Sequence, residues 1–276
     1  MVSNKDIIDP NAPAGGCGTG FSRQSGSICV TNKTLLEKIN TDNQWKILSQ
    51  SWIETMVSGV NNPLWNTYDN LIIKETQFYN DKFSKSSGFN IIDWKIFKAV
   101  VWVESGGPNN SAWNIKTMQI GNSGDPGYNV LKNKSEGSDL IISDELYNAL
   151  CKNINDPQVN IRAGIAYILT RLMKSEIRSV ESNTDIEEHE YTIKAGDTFF
   201  GIAGKLGTTP NELKTMNPEK EILHLGDKIK YKSAKMQRVI IGWMPFTTQN
   251  IADRYNVGDF NYATKLNFVL YLFSQA

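Results

Sequence analysis

The stretch IIDWKIFKAVVWVESGG, residues 91–107, decides the fold class. Within it Ile92, Ile96, Ala99, Val100 and Val103 fall at i, i+4, i+7, i+8 and i+11, which is one face of a helix of 3.6 residues per turn. Gly106-Gly107-Pro108 stops that helix, and so apolar a stripe requires burial. Glu104 occupies its last turn. Unsatisfied carbonyls there carry partial negative charge, and Trp102 and Val103 exclude water, so both effects favour the protonated carboxyl. Periodicity alone leaves a second reading open, an ordinary exposed carboxylate at a helix end.

Working outward, apolar residues recur at helical spacing over 35–83, among them Trp45, Leu48, Trp52 and Met56. Two helices are expected there, with a break at Asn62-Pro63. Residues 108–155 are rich in Gly, Asn and Ser around a Met118-Gln119-Ile120 island, with a short helix near residues 144–151. Asp156 and Pro157 read as N-cap and first residue of a helix with Ile161, Ile165, Ile168, Leu169 and Leu172 inside, and the pattern changes after Arg178. In the tail, Tyr262, Leu266, Val269, Leu270 and Phe273 repeat the five-position stripe. Residues 237–276 are therefore expected to pack back onto the 35–178 block. Residues 1–31, with five glycines and two prolines, read as an irregular arm.

Residues 181–190 are polar and acidic, and a different pattern follows them. A strand over 191–194 leads through Gly196-Asp197-Thr198 into a short helix bearing Phe199, Ile202, Ala203 and Leu206. Thr209-Pro210-Asn211-Glu212 is a capping box opening a second helix, and Leu225-Gly226-Asp227 turns into a closing strand over 228–231. This strand–helix–helix–strand unit, from YTIKAGDTFFGIA at Tyr191 to LGDKIKY ending at Tyr231, resembles a LysM domain along its whole length. The resemblance implies binding of glycans containing N-acetylglucosamine. The groove would lie between residues 196–199 and 217–220, with Gly196, Asp197, Thr198, Phe199, Asn217 and Pro218 lining it. Small polar turn residues suit sugar hydrogen bonding and plain turns alike.

The larger block is similar to the lysozyme-like fold of soluble lytic transglycosylases and goose-type lysozymes. VWVESG at residues 101–106 resembles the family's Glu-Ser motif. Residues 117–121, Thr-Met-Gln-Ile-Gly, resemble its Gly-x-Met-Gln-Ile stretch, with Lys116 and Thr117 in place of the usual small entry residues. NIRAGIAY at residues 160–167 fits the next family helix, and ADRYNVG at residues 252–258 resembles the Tyr-Asn-x-Gly motif. The expected architecture is mainly α: an arm (1–34), a lysozyme-like helical domain in two parts (35–182 and 233–276), and a small βααβ LysM insertion (183–232) whose ends lie on adjacent antiparallel strands.

Glycosidic cleavage needs an acid with a raised pKa, and Glu104 is placed for it. A two-carboxylate glycosidase needs a second acid about 5–9.5 Å away. Asp125 is the nearest candidate in sequence, but Asp before Pro-Gly is usually a turn former. By resemblance, a lone Glu suits the lytic transglycosylase route, in which it donates a proton and then acts as base while the muramoyl 6-hydroxyl closes a 1,6-anhydro ring. The resemblance assigns Ser105, Met118, Gln119, Ile120, Tyr255 and Asn256 to substrate binding; packing around Glu104 is the alternative role.

Composition closes off other classes. The 29 basic and 29 acidic residues balance, which argues against a dedicated nucleic-acid binder. No apolar run is long enough to span a membrane. His189 and His224 lack partners at ligand spacing and no phosphate-binding glycine loop is present, so neither metal nor cofactor is expected. Among three cysteines, Cys17 and Cys29 are open between a disulfide and free thiols. The residues from Met1 to Asp6 show no apolar stretch of the kind a secretory signal needs, so any export is expected to use another route. The resemblance implies peptidoglycan strands as the partner, and for a wall-cleaving protein without a signal peptide the expectation is a secretion-system or phage-tail carrier and a cognate immunity protein, with synthesis in the cytoplasm and action in a target cell's periplasm or wall. A hydrolytic muramidase and a non-catalytic wall-binding protein are the alternatives.

Overall fold

The computed structural model describes residues 31–182 and 184–275, which fall into two units. One takes in residues 31–84, 90–172 and 245–275, the other residues 85–89 and 173–244. Most of the expected arm, and the Cys17–Cys29 question with it, lie outside the described residues.

The first unit opens with α1 (Asn32–Thr41), whose N-cap Thr31 accepts from the Thr34 N–H at 3.3 Å, so helix begins inside the segment read as irregular up to 34. α2 (Gln50–Gly59) and α3 (Asp69–Phe83) follow. Three helices therefore stand where two were expected. Asp42 and Ser49 explain the extra break, because each side chain accepts a backbone N–H and so starts a new turn. Asn62-Pro63 opens a 3₁₀ turn over Pro63–Asn66, at the expected break. α4 (Lys95–Ser105) is the helix of the opening stretch, with Ile96, Phe97, Ala99, Val100, Val101 and Trp102 buried. Then come α5 (Pro126–Lys132), α6 (Ser138–Ile141), α7 (Asp144–Lys152) and α8 (Pro157–Leu172). Asp156 caps α8, accepting from Gln158 and Val159 at 2.9 and 3.1 Å.

Helix α8 ends at Leu172, the last residue of its expected inner stripe and ahead of the change of pattern expected after Arg178. Continuing its inner stripe would bring Ser175, Glu176 and Ser179 to the buried face, and these have nothing to gain there. Residues Met173–Glu181 form β1 instead. In the second unit this strand is followed by β2 (Glu188–Thr192), α9 (Phe199–Leu206), α10 (Pro210–Met216), β3 (Lys228–Lys232) and β4 (Ala234–Trp243). β1 pairs antiparallel with β4, from Met173 opposite Trp243 to Glu181 opposite Ala234, with an irregularity in register between Lys174 and Ser175. Residues 237–243, expected to return directly to the helical block, are thus strand in this unit. β2 pairs antiparallel with β3, from Glu188 opposite Lys232 to Thr192 opposite Lys228. Ile193, Ile202, Ala203, Leu213 and Ile229 fill the core of this small βααβ piece. Trp243 donates its indole N–H to Ser86 Oγ at 2.9 Å and meets the Phe89 ring edge-on, which ties residues 85–89 to the ribbon.

The chain completes the first unit with α11 (Thr248–Tyr255) and α12 (Tyr262–Gln275). α8 is the central helix: α3, α5, α6, α7 and α11 pack on it, and its five expected inner residues are fully buried. α12 lies along α4 and α11. Trp102 sits at the α4–α12 contact with its ring edge-on to Trp65 and Phe273. This packing brings the C-terminal end of α4 to the start of α12. Among the described residues no helix is long and apolar enough to cross a membrane.

Candidate functional site

Glu104 lies one residue before the end of α4. The turn that follows requires glycine. Gly106 is left-handed (φ 67°) and closes the helix with its N–H on Trp102 O, and Gly107 (φ 89°) runs so close to Trp65 that a Cβ would stand 2.1 Å from the ring. Ser105 is fully buried. Its hydroxyl donates to Val101 O at 2.6 Å and accepts from the Gly107 N–H at 3.3 Å, so it clamps the helix end.

The Glu104 side chain is half-buried. Its Oε1 accepts from Tyr262 Oη at 2.6 Å and from Asn256 Nδ2 at 3.4 Å. Burial raises the carboxyl above the ordinary glutamate range and outweighs those two bonds, which favour the ionised form. Asp259 pushes the same way as burial, and Lys265 opposes it; these two pair with each other at 2.6 Å. The phenols of Tyr255 and Tyr262 are likewise pushed up, by burial first and then by the Glu104 charge.

A second segment meets Glu104 from the side. Residues 117–120 form a tight turn in which Gln119 takes a left-handed backbone, φ 57°. Gln119 Nε2 donates to Lys116 O at 3.0 Å and reaches Glu104 O at 3.5 Å, while its Oε1 accepts from Asn122. Fully buried Asn160 on α8 holds this turn: Oδ1 accepts from the Met118 N–H at 2.8 Å, and Nδ2 donates to Ile120 O at 2.8 Å and Ile154 O at 3.0 Å. Tyr255 Oη donates to Met118 O at 2.6 Å, tying α11 to the same turn. Gly164 makes room below, since a Cβ there would lie 2.8 Å from Met118 Cβ.

The structure thus brings Glu104, Gln119, Tyr255 and Asn256 together. Ser105, Met118 and Ile120, expected at substrate, are enclosed at 0, 0 and 2% exposure, and burial makes them supports of the turn and helix end. Asp125 is the N-cap of α5 and accepts from the Gly127, Tyr128 and Gly121 N–H groups at 2.8, 3.2 and 2.7 Å. Its carboxylate is committed to backbone donors, the turn-forming role weighed against a second acid. Sequence reading missed Tyr262, counted only as part of an apolar stripe, and Asn160, counted only as part of a helix. A polar residue on an otherwise buried helix was the signal for Asn160.

In the second unit, Gly196 (φ 81°) makes the turn before α9. Asp197 accepts from Lys205 Nζ at 2.8 Å, Lys194 N–H at 2.9 Å and Tyr191 Oη at 2.9 Å, which lowers its carboxyl to about 2, the lysine contributing most. Thr198 caps α9. Asn217 is buried and exchanges bonds with Lys230, donating to its O at 2.8 Å and accepting its N–H at 2.7 Å, which joins α10 to β3. Phe199 packs against the core, whereas its neighbour Phe200 is 80% exposed and Pro218 is exposed. Asp197 and Asn217 therefore act within the fold, and Gly196, Thr198 and Pro218 remain on its surface. Among the described residues no group of three or more His, Cys, Asp or Glu is placed to hold a metal ion.

Residues 191–230 match the family model of the LysM domain. No curated protein and no solved structure matches the chain. The chain carries a LysM domain within an otherwise largely helical protein.

Proposed function

We propose that this protein associates with peptidoglycan through its LysM domain and cleaves the β-1,4 bond between N-acetylmuramic acid and N-acetylglucosamine, with Glu104 as acid and base. The LysM match supports the association. The observation that carries the cleavage is the Glu104 carboxyl: half-buried, raised in pKa by that burial, and held through Oε1 by Tyr262 and Asn256. Three motif segments distant in sequence meet around it, as the resemblance to lytic transglycosylases leads one to expect.

Glu104 gives its proton to the glycosidic oxygen as the C1–O bond breaks, and N-acetylglucosamine leaves with a free 4-hydroxyl. The ionised Glu104 then takes the proton of the muramoyl 6-hydroxyl as that oxygen bonds to C1. Atoms balance without water, and the acid ends in its starting form. With Asp125 bound to three backbone N–H groups, a one-carboxylate route is the better fit; a muramidase would need another base for water. LysM attachment raises the local concentration of strands without changing the chemical step.

The test uses purified sacculi with the full chain and Glu104→Gln. The proposal requires the wild type to release soluble fragments and the variant to lose release while sedimenting with sacculi as before. Binding without release by the wild type would leave a wall-binding protein and refute the enzymatic half.

A further inference from the structure

Resting on Glu104 as the acid, we propose that Tyr262 is a positioning residue: its phenol reserves Oε1 as a hydrogen-bond acceptor and leaves Oε2 as the oxygen that gives and takes the catalytic proton. The direction of the bond follows from counting protons. Tyr262 is 1% exposed, its hydroxyl carries one hydrogen, and among the described residues Glu104 Oε1, at 2.6 Å, is its hydrogen-bond partner. If Glu104 donated from Oε1, that hydrogen would be left unspent in a buried place. The phenol therefore donates in both states of the carboxyl. Asn256 Nδ2 approaches the same oxygen at 3.4 Å. An oxygen facing two donors is the wrong one to carry a proton, and among the described residues no hydrogen bond reaches Oε2.

The mount is rigid. Tyr262 is the first residue of α12, its N–H bonds Asp259 O at 3.0 Å, and Asp259 is held by the Asn261 N–H at 2.9 Å and Lys265 Nζ at 2.6 Å. The titratable groups acting on Glu104 are Tyr262 and Lys265 from α12 and Asp259 from the loop before it, and the Glu104 charge in turn acts on Tyr255 of α11. The Asp259–Lys265 pair acts in opposite senses, and Tyr255 spends its hydroxyl on Met118 O. Tyr262 is thus the phenol that chooses between the two oxygens.

The test is an infrared pH titration of the full chain, in which the protonated-carboxyl C=O band of Glu104 is assigned by its loss in Glu104→Gln. In Tyr262→Phe the ionised form loses a charge-assisted bond, so the midpoint is expected to rise by about one pH unit. The C=O band moves to higher wavenumber because Oε1, the carbonyl oxygen, loses its donor. Replacing Tyr262 by 3,5-difluorotyrosine, a stronger donor, moves both readings the other way and covers the case in which the phenylalanine variant does not fold. An unmoved midpoint or an unmoved band overturns the proposal. On sacculi the high-pH limb of the Tyr262→Phe rate profile shifts upward with the midpoint. A wild type that leaves sacculi intact would sink the reading of Glu104 as an acid, while the infrared titration still decides the bond.

Discussion

Replacing Asn160 with alanine removes three hydrogen bonds at once, those to the Met118 N–H, Ile120 O and Ile154 O. All three backbone groups lie around a fully buried side chain, where water is a poor substitute. Losing such bonds costs about 1 kcal/mol each, and more where a group stays unsatisfied, so the variant should be destabilised by about 3–4 kcal/mol. That is a large share of the roughly 5–15 kcal/mol that holds a folded protein together. Urea unfolding followed by tryptophan fluorescence reads the right unit, because every tryptophan except Trp243 lies in the helical part. With a slope of about 2–3 kcal/mol/M the midpoint falls by about 1–2 M. Asn160→Asp gives a second reading. Its new oxygen would face the Ile120 and Ile154 carbonyls, so it must be protonated to fit, and the variant should be more stable at pH 4 than at pH 7. A loss below about 1 kcal/mol in Asn160→Ala would refute the claim that this side chain fastens the turn beside Glu104.

Three further outcomes follow from the site and the insertion. Because burial raises the folded-state pKa of Glu104, the folded protein binds its proton more tightly than the unfolded chain. Stability is therefore fully present below about pH 4.3 and declines as pH rises through the raised value, so Glu104→Gln should unfold at higher temperature than wild type at pH 7, and equal melting would count against the raised pKa. Asp197 has the opposite sign: its stabilisation is present above about pH 3.9 and is lost as pH falls through about 2, which should appear as faster hydrogen exchange of the Lys194 amide over that window and be absent in Asp197→Asn. Phe260 is fully exposed in the loop joining Asn256 to Tyr262, so Phe260→Ala should change stability by less than about 0.5 kcal/mol while reducing release from sacculi at low substrate; unchanged release would remove Phe260 from the binding surface.

The sequence carried the helical stripes of α4, α8 and α12 because each buries a face at 3.6-residue spacing, and local periodicity records that directly. It carried the βααβ unit through its turn glycines and its capping box, in which Thr209 and Glu212 satisfy one another. The β1–β4 ribbon was not legible. Its partners stand about sixty residues apart, and many of its side chains are half-exposed, so neither burial nor a short turn marks the pairing. At the candidate site Glu104 could be singled out, but not what surrounds it. Tyr262 is both a core residue and a donor, and its apolar stripe hides the hydroxyl. Ser105 and Met118 carried motif resemblance, yet a motif does not distinguish a side chain that touches a ligand from one that shapes the backbone beneath it.

The most direct measurement is mass spectrometry of the glycan ends formed when the full chain digests purified sacculi. Cleavage assisted by the Glu104 carboxyl predicts new 1,6-anhydromuramoyl ends that disappear in Glu104→Gln. Sacculi whose strands gain no new ends, or ends that form equally with the glutamine variant, would contradict it.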